Sequence, residues 1–316
     1  MESWLWHGGG LRAAREQFGN DAEEWLDLST GINPHPWPGI ADIQIDWQRL
    51  PEAADLRALE AAAAAHFGTD PAHVCALPGT EIGLRLIGEF ISGPARHVAP
   101  SYRTHGEMFG GAAPARFEDA QGTLVVANPN NPDGRVIARE RLLAHDGWLI
   151  VDEAFADCAP AASVAPEIAD HRQLVVFRSF GKFFGLAGLR LGFVLGPRPI
   201  VAEFRARIGA WPVSAAAIAF GIRAYSDLSW IAATRARLAD EARALDAVLA
   251  RHGLQPIGAC PLFRLIDTPD AAALFERLAR QAILTRPFDY APRWLRIGLP
   301  GGVRALDRLD TALVRG

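Results

Sequence analysis

Lysine is almost absent from this chain: of 32 basic side chains, 31 are arginine and one, Lys182, is lysine. Cysteine is scarce too. Cys75, Cys158 and Cys260 lie far apart with no C-x-x-C pair, which excludes a disulfide framework and the common zinc and dithiol motifs. No metal site is expected, and a reducing cytoplasm is the natural location. No apolar run approaches the roughly 20 residues of a membrane span, and Met1-Glu2-Ser3-Trp4-Leu5-Trp6-His7-Gly8 lacks the basic start and apolar core of a signal peptide, so no membrane is implied. Charge of one sign is missing as well. The net charge is −4 with acids and bases interspersed, which leaves no basic stripe for nucleic acid. Internal repeats and low-complexity linkers are absent.

What is present is the composition of a folded protein, half hydrophobic and 22% charged, in 316 residues that can bury a full core. The expected organisation is an N-terminal arm over 1–40 that packs with a small domain and covers the site. A large domain follows over 41–212, then connector helices and a small α+β domain over 213–316.

Along the chain, helices are predicted at Leu11–Phe18 and Asp55–Phe67, the latter ended by Gly68, and a strand at Val74–Leu77. The turn Pro78-Gly79-Thr80-Glu81 opens a helix to Ile91, so its amides point at one spot, where an anion can sit; N-capping by Thr80 is the simpler alternative. Short apolar strands then alternate with helices: Arg96–Ala99, Ala115–Phe117, Leu124–Ala127, Leu149–Asp152, Leu174–Arg178 and Leu191–Leu195. This alternation predicts a largely parallel α/β sheet, whose strand ends carry ligands. The residues after those strands are Pro100-Ser101-Tyr102, Asn128 to Gly134, Asp152-Glu153-Ala154-Phe155, and Ser179. Beyond Trp211 long helices take over, followed by strands at Leu262–Ile266, Ile283–Arg286 and Trp294–Ile297 and a closing helix Val303–Val314.

Lys182 stands in Arg178-Ser179-Phe180-Gly181-Lys182-Phe183-Phe184-Gly185-Leu186-Ala187-Gly188-Leu189-Arg190. A chain that takes arginine wherever a positive charge suffices needs an amine here. A desolvated ε-amine can lose its proton and attack a carbonyl, which a guanidinium cannot.

Taken together and in order, Gly79-Thr80-Glu81, Pro100-Ser101-Tyr102, Asn131-Pro132-Asp133-Gly134, Asp152-Glu153-Ala154, Ser179 to Lys182, and Arg190 resemble the pyridoxal-phosphate enzymes of the aspartate aminotransferase superfamily, fold type I. The resemblance covers most of the chain. It implies pyridoxal 5'-phosphate held as a Schiff base on Lys182, with Asp152 at the pyridine nitrogen, Asn131 at the ring 3-oxygen and Tyr102 on the ring face. The cofactor phosphate would lie among Gly79, Thr80, the Glu81 amide, Ser179 and Arg190, and Arg296 would grip the substrate carboxylate. Two positions depart from the pattern: Phe155 stands where a tyrosine often helps Asn131, and Leu50 where many relatives place a tyrosine that reaches the partner's cofactor.

The arm, His7-Gly8-Gly9 and then Leu26-Asp27-Leu28-Ser29-Thr30-Gly31-Ile32-Asn33-Pro34, is similar to that of the threonine-phosphate decarboxylases of cobalamin biosynthesis, close relatives of histidinol-phosphate aminotransferase. That resemblance implies a small phosphorylated amino acid as substrate, a homodimer, and a substrate phosphate read by His7, the Gly8 and Gly9 amides, Thr30, Arg286 and Arg296. An aminotransferase and a non-enzymatic α/β binding protein remain the alternatives.

Overall fold

The computed structural model describes residues 7–19 and 24–314, so part of the expected arm, and the Met1–Trp6 start, lie outside the described residues. The chain divides into two units: 36–131 with 136–233, and 1–35 with 132–135 and 234–316. Helix Ala215–Ser226 therefore belongs with the larger unit, and helix Leu228–Arg251 carries the chain from that unit into the smaller one.

The larger unit is built on a seven-stranded sheet in the order Val74–Leu77, Gly192–Leu195, Leu174–Ser179, Leu149–Asp152, Thr123–Ala127, Ala95–Val98, Ala113–Ala115. Six of these strands run in one direction; Gly192–Leu195 alone is reversed, antiparallel to both its neighbours. Strands buried on both faces read as unbroken apolar runs. Leu124, Val125, Ile150, Val175, Val176 and Phe177 accordingly have no more than trace exposure, and burying each such side chain stabilises the fold by about 1.5–3 kcal/mol. Helix Ala53–Phe67 starts two residues before its predicted first residue, because Glu52 and Asp55 form a reciprocal capping box that makes Asp55 the third helical residue. It ends at Gly68, whose φ of 73° is the left-handed turn predicted there. The strand predicted at Ala115–Phe117 lies at Ala113–Ala115, on the edge of the sheet, and Phe117 opens a short 3-10 turn instead.

The register of the parallel strands fixes the functional edge. Ala127 pairs with Asp152 and Asp152 with Phe177, so the segments after these strands leave from one side of the sheet. The Asn128 side chain then shapes the next loop, accepting from the Ile137 amide at 2.8 Å and donating to the Ile137 and Ala162 carbonyls.

The smaller unit holds an antiparallel sheet in the order Arg286–Pro287, Trp294–Gly298, Phe263–Asp267, Pro256–Ile257. The single strand predicted over Ile283–Arg286 is two: Ile283–Leu284 pairs in parallel with Leu26–Asp27 of the arm, while Arg286–Pro287 joins Trp294–Gly298. Among the described residues no helix is long and apolar enough to cross a membrane.

Candidate functional site

In the larger unit the turn after Val74–Leu77 places Gly79 at φ 88°, a conformation that favours glycine. A Cβ there would lie 2.5 Å from Arg190 Nη2, and a Cβ on Gly192 would lie 2.8 Å from the Thr80 amide. The two glycines let Arg190 and the strand that follows it close directly over the helix start at Thr80. Thr80 is the first residue of helix Thr80–Leu86 and not its cap; no side chain caps that helix. Arg190 is exposed, adopts φ 55° and donates to the Ala187 carbonyl at 3.2 Å, which holds its guanidinium beside Gly79. Ser179 ends its strand and Lys182 lies in the short helix Phe180–Phe183, half-buried, just before this turn.

Asp152 is 7% exposed at the end of its strand. One oxygen accepts from the Ala154 amide at 3.1 Å and the other meets His105 Nε2 at 3.1 Å. A carboxylate only accepts, so Nε2 carries the proton; Nδ1 of the fully buried His105 has no hydrogen-bond partner among the described residues. His105 was not foreseen from the sequence, since nothing local marks a partner that is 47 residues away.

Tyr102 immediately precedes the helix Arg103–Glu107 that carries His105, and the two rings meet edge to face at 5.8 Å. Its hydroxyl donates to Glu81 at 3.0 Å, and burial, together with the Glu81 charge, pushes the phenol up to about 12. The Glu81 side chain thus organises Tyr102, whereas the sequence reading placed Glu81 at the anion site through its amide. Asn130 donates to the Pro100 carbonyl at 2.9 Å, which ties the loop before Asn131 to the one that leads to Tyr102. Phe155 is buried at 5% exposure, and Leu50 is 63% exposed.

The smaller unit gathers the positive side chains. Arg286 and Arg296 are both buried and stand opposite each other on paired strands. Burial, with the Arg286 charge adding to it, pushes Arg296 down to about 10. Arg296 donates to the Ser29 carbonyl at 2.8 Å and lies 5.1 Å above the Phe263 ring; Arg286 lies 5.2 Å above the Phe288 ring. Ser29, also missed in the sequence, is the hub of the arm. Its hydroxyl donates to Asp27 at 2.6 Å and accepts from the Gly9 amide at 2.7 Å. The Gly9 amide, expected as a phosphate donor, is therefore used to fold the arm. A Cβ on Gly8 would lie 2.4 Å from the Ser29 carbonyl, so Gly8 is required for that packing. Close approach also brings Thr30 over Gly298, at whose Cβ position the Thr30 carbonyl would lie 2.4 Å away. His7 is exposed.

An acid backed by histidine at one strand end, an amine in the short helix beyond the next and a guanidinium over a glycine turn define a class: α/β proteins whose strand ends carry a donor set suited to an anionic ligand. Residues 112–309 match the aminotransferase class I and II family. The chain is 42% identical to the threonine-phosphate decarboxylase of Sinorhizobium sp, with 100% of this chain and 99% of that protein covered. It is 39% identical to the threonine-phosphate decarboxylase of Pseudomonas aeruginosa over 98% of this chain and 97% of that one. Among solved structures, the histidinol-phosphate aminotransferase of Sinorhizobium meliloti in complex with pyridoxal-5'-phosphate superposes with a TM-score of 0.81 at 22% identity, covering 96% of this chain and 93% of that one. The chain belongs to the aminotransferase class I and II family.

Proposed function

We propose that this protein is a pyridoxal-phosphate-dependent decarboxylase that converts L-threonine O-3-phosphate to (R)-1-aminopropan-2-yl phosphate and carbon dioxide, the aminopropanol step of cobalamin biosynthesis. The observation that carries this reading is identity of 42% and 39% along essentially the full length of two threonine-phosphate decarboxylases. The donor set of the larger unit fits the cofactor: the guanidinium of Arg190 over Gly79 suits a phosphate, and the His105-backed carboxylate of Asp152 suits a protonated ring nitrogen.

Bound there, pyridoxal phosphate supplies an aldehyde and an electron-withdrawing ring that takes up the electron pair released when a bond to the substrate α-carbon breaks. Lys182 would hold the cofactor through its amine and, as a base whose proton can be moved, would serve as the proton donor to the substrate α-carbon. Asp152 would keep a proton on the ring nitrogen, Asn131 would donate to the 3-oxygen, and Tyr102 would cover one face. Gly79, Thr80, Ser179 and Arg190 hold the cofactor phosphate. Arg286 and Arg296, with His7 and Thr30, receive the substrate's carboxylate and phosphate. Binding both anionic groups would orient the substrate, and with it the choice of which α-carbon bond is broken. Phe155 contributes no hydroxyl to the 3-oxygen, which leaves that task to Asn131. The enzyme works as a cytoplasmic homodimer.

The test is incubation with L-threonine O-3-phosphate and no 2-oxo acid, followed by carbon dioxide release. Turnover of histidinol phosphate that depends on 2-oxoglutarate, with no carbon dioxide from threonine phosphate, would establish an aminotransferase instead.

A further inference from the structure

Two short helices of the larger unit, Thr80–Leu86 and Arg103–Glu107, are joined by one carboxylate. Glu81 accepts from the Tyr102 hydroxyl at 3.0 Å, from the buried Thr104 hydroxyl at 3.0 and 3.1 Å, and from Arg85 Nε at 2.7 Å. Arg85 extends the join to Glu107 at 2.9 Å. Thr104 directly precedes His105, the residue that meets Asp152, and Tyr102 stands just ahead of the same helix. Glu81 also directly follows Thr80, so its negative charge sits one residue from the proposed cofactor phosphate. The Arg85 ion pair offsets that charge, and the acid itself suits the first turn of a helix.

We propose that Glu81 is a positioning residue for the cofactor: by capturing the Tyr102 hydroxyl it sets the angle of the ring that covers the cofactor, and through Thr104 it seats the helix that presents His105 to Asp152. The inference rests on the reading of the larger unit as a pyridoxal-phosphate site. Tyr102 then contributes its face to the cofactor, and its hydroxyl serves the alignment of that face. Burial keeps the phenol protonated as the donor throughout the working pH range.

The test is titration of apoprotein with pyridoxal phosphate, with affinity, visible absorption band and the pH midpoint of that band as readouts, in wild type, Glu81→Gln, Tyr102→Phe and the double variant. Loss of a charge-assisted hydrogen bond is expected to weaken binding about tenfold in each single variant. The double variant should bind about as well as the weaker single one, because both changes break the same link. The pH midpoint should move in Glu81→Gln, since the His105 contact with Asp152 is loosened. Fully additive losses, or an unchanged affinity and midpoint in Glu81→Gln, overturn the inference. Tyr102→Phe leaves every carboxylate in place, so wild-type affinity in that variant overturns it even if Glu81→Gln folds poorly. Wild-type protein that takes up no pyridoxal phosphate overturns the cofactor reading and this inference with it.

Discussion

Arg286 and Arg296 are direct cross-strand neighbours, both buried, on the antiparallel pair Arg286–Pro287 and Trp294–Gly298. Like charges opposite one another destabilise a sheet, and burial adds a desolvation cost; on the function proposed above, the pair receives the anionic groups of the substrate. Arg286→Met keeps most of the volume and removes one charge. It is expected to leave the melting temperature unchanged or higher while raising KM for threonine phosphate at least about 30-fold, the lower end for a lost buried charge partner. A lower melting temperature with an unchanged KM would make Arg286 a structural residue only.

The pH dependence of anion binding follows from the same pair. Arg296 lies at about 10, below the ordinary arginine value, lowered by burial first and by Arg286 second. A depressed base means that the folded state disfavours the charged form. The cost to stability is therefore full below about 10 and is relieved as pH rises from there toward the ordinary arginine value. Anion binding favours the guanidinium and runs the opposite way: affinity is level below this pKa and falls as pH rises through it. Calorimetric titration with threonine phosphate at about pH 8 and about pH 10.5 should show weaker binding, with proton uptake, at the higher value. Equal affinities at both would mean that Arg296 does not touch the anion.

Legibility in the sequence divides along a physical line. Val74–Leu77 and Leu149–Asp152 were readable to the residue, because doubly covered strands are unbroken apolar runs bounded by turn residues. Helices Leu11–Phe18 and Val303–Val314 were readable from their periodicity. The direction of Gly192–Leu195 was not, since apolarity does not encode strand polarity. Nor was the split at Thr285, which depends on the arm pairing with Ile283–Leu284. Lys182 and Asp152 stood out through local motif. His105, Ser29 and the function of Glu81 did not, because each acquires its role from a partner brought close only by the fold, as His105 does by meeting, from its short helix, the carboxylate at the end of Leu149–Asp152.

Lys182 supplies a sharp covalent test. It is the only lysine of the chain, so borohydride added to the holoprotein should fix pyridoxal phosphate to a single peptide, the one containing Lys182. Lys182→Ala should still bind the cofactor through Arg190, Ser179 and Asp152, yet lose both the fixation and carbon dioxide release. Turnover drops by several orders of magnitude, since the variant has neither amine nor proton shuttle. Fixation at the N-terminal amine in wild type, with none at Lys182, would remove the basis of the assignment.

Behind the candidate site, Arg178 is buried in the strand that leads to Ser179 and joins two carboxylates: Nη1 donates to Glu153 at 2.9 Å and Nη2 to Asp157 at 2.5 Å. Glu153 also accepts from the Ser163 hydroxyl at 2.5 Å and the Val164 amide at 2.7 Å, and Asp157 meets His66 at 2.7 Å. The guanidinium lies 4.5 Å above the Phe67 ring. Attraction from Asp157 and Glu153 outweighs desolvation and raises Arg178 above its ordinary value, so it is charged at every working pH. Arg178→Met would leave two buried carboxylates without their cation, and losing one partner of a buried pair costs about 3–5 kcal/mol. Urea unfolding of the apoprotein should register that loss. At neutral pH Glu153, already raised by burial, would then take up a proton to relieve it. Its pKa would move further above the unfolded value, so the variant's deficit should shrink as pH falls toward the carboxylate range and grow as pH rises. Glu153→Gln in the Arg178→Met background should restore part of the stability, because it removes one of the stranded charges. A deficit that is independent of pH and untouched by Glu153→Gln would show that Arg178 acts by packing against Phe67 alone.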